Sequence, residues 1–60
     1  MLTPEVKEML LYLFAKETDW EEKVLNAQSL SAVAYAMTVL LETRQEITHL
    51  QKTNKMEELQ

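Results

Sequence analysis

The chain has 60 residues, 47% hydrophobic and 27% charged, with a formal charge of −4, no glycine, one proline and no cysteine. Without cysteine there are no disulfides or thiolate metal sites, and a single histidine rules out a histidine-rich metal site within one chain. So few turn-forming residues predict an all-α fold, and the acidic balance works against nucleic-acid and anionic-membrane binding.

Thr3-Pro4-Glu5 is a strong helix start, with Thr3 as N-cap, Pro4 at the first helical position and Glu5 in the first turn beside the positive dipole end. Val6, Met9, Leu10 and Leu13 follow at helical spacing on one face, and Leu11, Tyr12 and Phe14 widen it beyond what one contact requires. These features predict a first helix over about residues 4–16. The preceding residues, MLTPEVKEM overall, have no basic segment leading into an apolar core, so a secretory signal is not expected and a cytoplasmic location is.

Lys16–Trp20 reads as the corner. Thr18 with Glu21, and Asp19 with Glu22, both fit a capping box that would open a second helix. Trp20 would then lie in the first turn of that helix and plug the end of a bundle, with Val24 and Ala27 on its face. From there the chain either runs as one helix over about 19–53, or breaks near 26–29 with Ser29 capping a third helix. Asn26, Gln28, Ser29 and Ser31 are modest helix formers, but neither glycine nor proline enforces a stop.

The stretch Leu30–Leu41, LSAVAYAMTVLL, has only Ser31 and Thr38 as polar residues. A helix apolar on nearly every side has to be covered on several sides. Leu30, Val33, Met37, Leu40, Arg44 and Ile47 keep the 3-4 spacing of a helix-packing seam, predicted to close the chain's own fold. A second face, around Ala34, Tyr35 and Leu41, is predicted to meet a partner chain. Extended from Ala27, the apolar stretch gives roughly 22 Å of helix against about 30 Å of bilayer core, so no membrane span is expected. Past Leu41 the sequence turns polar. The expectation is a single helical domain over residues 1–53, with 54–60 frayed.

Size argues for assembly. A core below roughly 70–80 residues seldom supplies more than ~3–5 kcal/mol, and small proteins without disulfides or metals make up the shortfall by oligomerising. The predicted architecture is therefore a helical hairpin assembling into an oligomeric bundle, most simply a homodimer. Interface and core residues are Leu30, Val33, Ala34, Tyr35, Met37, Leu40 and Leu41. Trp20, Glu21 and Glu22, an aromatic beside an acidic knot, are candidates for docking another protein.

No catalytic residues or cofactors are expected. Without glycine there is no phosphate-cradling loop, and no nucleophile is accompanied by a base and an orienting group. The first functional reading is a small acidic protein–protein interaction module, a regulator or adaptor acting as a homo-oligomer. The second is a small RNA- or DNA-binding bundle of the ROP-like size class, a likeness of size and architecture without a shared motif; Arg44, Lys52 and Lys55 would have to build its basic patch. The third is a di-metal carboxylate bundle using Glu46 and His49, which match Glu-x-x-His. That spacing projects both side chains from one helix face, but Glu8 lies opposite the apolar face of the first helix, where it supplies no inward ligand.

Overall fold

The computed structural model describes residues 3–54, which form two helices, α1 over Pro4–Asn26 and α2 over Leu30–Thr53. Thr3 caps α1 by accepting a hydrogen bond from the Val6 amide at 3.2 Å, with Pro4 in the first turn, where a missing amide proton costs nothing. Ser29 caps α2 in the same way, its Oγ accepting from the Ala32 amide at 3.1 Å. The three connecting residues, 27–29, need no glycine, since Ala27 and Ser29 both take extended conformations open to any residue.

The corner expected at Lys16–Trp20 does not form there. Residues 16–20 continue α1, whose end lies at Asn26 instead of near residue 16. Nor is there a helix running 19–53; the 26–29 region, expected to open a third helix, makes the connection between the two helices. Thr18 donates its hydroxyl proton to the Phe14 carbonyl, and Asp19 pairs with Lys23 at 2.9 Å, so neither side chain caps a helix. The reason is tertiary. A turn at 16–20 would set a short helix against one almost three times as long, whereas a turn at 27–29 yields helices of 23 and 24 residues that cover one another along their whole length. Asn54 ends α2 as its C-cap; the rest of the tail expected to fray, 55–60, lies outside the described residues.

The helices run antiparallel. Leu10 and Leu13 pack with Ile47, flanked by Val6 and Leu50, while nearer the turn Trp20 meets Tyr35. Two complementary lines with 3-4 spacing carry the contact. On α1 and its C-cap these are Val6, Leu10, Leu13, Glu17, Trp20, Val24 and Ala27; on α2 and its C-cap, Val33, Ala36, Leu40, Thr43, Ile47, Leu50 and Asn54, every one buried or half-buried.

The α2 seam differs from the predicted one in one of its two columns. Val33, Leu40 and Ile47 face α1 as expected, but the second column is Ala36, Thr43 and Leu50 in place of Leu30, Met37 and Arg44. Ala36 and Thr43 are small enough to let the helices approach closely. Thr43 is fully buried, and its hydroxyl is satisfied by the Val39 carbonyl at 2.8 Å. The longer side chains of Leu30, Met37 and Arg44 are left on the flank.

Candidate association surfaces

Five hydrophobic residues are buried: Leu10, Leu13, Ala36, Leu40 and Ile47. Nine large hydrophobic residues among those described are exposed, from Phe14 at 43% to Leu30 at 86%. Single exposed hydrophobics are ordinary, but here they outnumber the core and fall in rows, the pattern that marks a binding surface.

The most regular row is on α2. Leu30, Ala34, Met37 and Leu41 repeat at 4-3-4 spacing, about a quarter turn around the helix from Leu40. All four are exposed, Leu41 and Met37 at about half their surface. Leu25, at the end of α1 and 83% exposed, adds a further apolar side chain beside the turn. Thus Leu30 and Met37, expected to close the chain's own fold, instead join Ala34 and Leu41 on an outward flank.

Tyr35 does not belong to that flank. Its ring lies 5.7 Å from that of Trp20 in an edge-to-face arrangement at 71°, on the other side of the hairpin. At 100° per residue, Tyr35 is more than a quarter turn from both Ala34 and Leu41, so the three do not lie on one face of α2. Trp20 is half-buried in the last third of α1 instead of in the first turn of a second helix, and the Lys23 ammonium sits 4.3 Å from its ring centroid. Val24 and Ala27 do follow it on the same line.

Trp20, Glu21 and Glu22 do not converge, because consecutive helical residues point about 100° apart. Glu21 accepts a hydrogen bond from Arg44 Nη2 at 2.8 Å, while Glu22 is exposed. The acidic knot is therefore spread around the later part of α1, far from the helix N-terminus whose dipole would have favoured it.

Arg44, expected in the seam, bridges the two helices along its edge, with Nε bonded to Glu17 Oε2 and Nη2 to Glu21 Oε2, each at 2.8 Å. The hydrogen bond to Glu17 raises the guanidinium pKa above its ordinary value, desolvation opposes this, and Glu21 adds to the rise. Arginine is charged at any accessible pH, so the consequence is structural. Of the residues named for a basic patch, Arg44 is engaged by these two carboxylates, Lys52 is exposed, and Lys55 lies outside the described residues. His49 Nε2 lies 3.5 Å from Thr53 Oγ1. Among the described residues no group of three or more His, Cys, Asp or Glu side chains is placed to hold a metal ion. No helix among them is long and apolar enough to cross a membrane.

A second row lies on the flank opposite Leu30–Leu41. Met9 and Tyr12, 53% and 65% exposed, border a groove between the first half of α1 and the second half of α2. Residue spacing had shown only that the apolar face of α1 was too wide. That Met9 would line a groove depended on where α2 returned.

No protein-family model, no curated protein and no solved structure matches the chain.

Proposed function

We propose that the protein is a protein–protein interaction module that works as a homo-oligomer, with the Leu30–Ala34–Met37–Leu41 flank of α2 as its self-association surface. The observation that carries this reading is the imbalance between a core of five hydrophobic residues and nine exposed large ones. Hydrophobic burial drives most association, and a surface this apolar gains by being covered.

The flank is self-complementary. When two copies of α2 pack antiparallel about a two-fold axis, the register that sets Leu30 against Leu41 of the second copy also sets Ala34 against Met37 of the second copy. Both pairs are centred on the same point between Tyr35 and Ala36, so small meets large and one register satisfies the whole row. Repeating the flank's spacing in this way gives helix–helix contact of the kind found in small bundles.

Light scattering after size exclusion tests the reading. The account expects a mass above that of one 7.0 kDa chain. A folded particle with the mass of a single chain across the accessible concentration range would overturn it.

A further inference from the structure

We infer that the groove bordered by Met9 and Tyr12 is a docking site for a basic amphipathic helix of another protein, an inference that rests on reading the chain as an interaction module. The groove has an apolar lining, given by Met9, Tyr12 and Leu13 from α1 and Leu50 from α2. Met9 supplies a flexible, polarisable side chain that adapts to varied apolar partners. Its polar lining is acidic on both helices, with Glu5 and Glu8 from α1 and Glu42 and Glu46 from α2 beside Gln45 and His49, and neither lysine nor arginine lines it. Lys16, the next position along the Met9–Tyr12 line, marks where the acidic rim ends toward the turn.

The rim carboxylates differ from others on the hairpin. Glu17, Glu21 and Asp19 each pair with Arg44 or Lys23, whereas Glu5, Glu8, Glu42 and Glu46 take part in no ion pair among the described residues; Glu22, away from the groove, is the one other carboxylate there without a pair. Glu42 and Glu46 are like charges one helical turn apart, which is unfavourable until a cation lies between them. An apolar strip between two acidic rows complements a helix with apolar anchors at i, i+3, i+4 and i+7 and Lys or Arg on either side of them.

Charge also works against the alternatives. A second copy of this chain carries −4 and would bring its own carboxylates against the rim, and nucleic acid would bring phosphates. The groove lies on the flank away from Leu30–Leu41, so self-association and helix docking do not compete for the same residues.

The test is calorimetric titration of the full chain with a synthetic Leu/Lys peptide whose leucines repeat at helical spacing, beside a scrambled peptide of identical composition. The helical peptide is expected to bind saturably, one per chain, and the scrambled one at least about tenfold more weakly. Glu8→Lys with Glu46→Lys, both at exposed positions, is expected to weaken binding by about tenfold or more while circular dichroism stays unchanged. Met37→Glu, on the other flank, is expected to leave peptide affinity unaltered.

Absence of saturable binding, equal binding of the scrambled peptide, or indifference to the double charge reversal would each overturn the inference. So would a Met9→Glu chain whose assembled mass falls, because a second copy would then occupy the groove. Light scattering on the same samples separates the two readings. A single-chain mass with intact peptide binding refutes self-association alone, and an assembled chain that ignores the peptide refutes the groove alone.

Discussion

Arg44 on α2 meets Glu17 on α1 at 2.8 Å, and Glu17 itself occupies a position in the α1 seam, half-buried between Leu13 and Trp20. With Thr43, fully buried on α2, this contact brings polar groups into the middle of the seam. It divides the core into an open end, around Leu10, Leu13 and Ile47, and a turn end around Trp20, Ala36 and Leu40. Sliding one helix along the other would break the bonds from Arg44 to Glu17 and Glu21, so the pair favours this register.

A double-mutant cycle with Glu17→Gln and Arg44→Gln, followed by urea unfolding, is expected to show favourable coupling at low ionic strength. That coupling should shrink at about 1 M salt, where the screening length falls to roughly 3 Å, because both side chains keep solvent contact. Coupling absent at low salt would show that the pair does not fasten the hairpin.

The position of the turn makes a separate prediction. Ser29→Ala removes the cap of α2 and is expected to cost about 1 kcal/mol in urea unfolding. Thr18→Ala is expected to change stability by no more than about 0.5 kcal/mol, since Thr18 lies within α1 and alanine is the better helix former. The opposite ranking would place the turn at residue 18.

Why the sequence pointed to the wrong corner is physically plain. Thr18 and Asp19 carry the same local capping chemistry as Ser29, and local chemistry does not reveal which site the chain uses. The choice follows from matching two helices in length, which is a property of the pair. The start at Thr3-Pro4 was legible because capping residue, proline and acidic first turn agree there. The α2 seam was half legible. Val33, Leu40 and Ile47 belong to either reading, but hydrophobicity ranks Leu30 and Met37 above Ala36 and Thr43, whereas close helix approach favours the small residues. The candidate surfaces were legible as an excess of apolar residues on both helices. Their division into two flanks was not, because it needs the return path of α2.

Core substitutions should separate buried from exposed leucines that lie two residues apart. Leu13→Ala removes a residue from the central cluster and is expected to cost about 2–5 kcal/mol, enough to unfold most of so small a protein. Leu11→Ala removes an exposed side chain outside the seam and is expected to stay within about 0.5 kcal/mol. Thermal unfolding followed by circular dichroism measures both. Equal losses would mean that Leu11 is covered in the assembled protein.

The central claim is that folding and self-association use different faces of α2. Its most direct test is Met37→Glu, compared with Leu40→Glu, in light scattering and circular dichroism on the same samples. Met37 is exposed within the single chain and Leu40 is buried against α1. Met37→Glu should therefore give a helical particle with the mass of one 7.0 kDa chain, whereas Leu40→Glu should lose helicity. A Met37→Glu chain that keeps the wild-type assembled mass, or that loses helicity as Leu40→Glu does, would contradict the account.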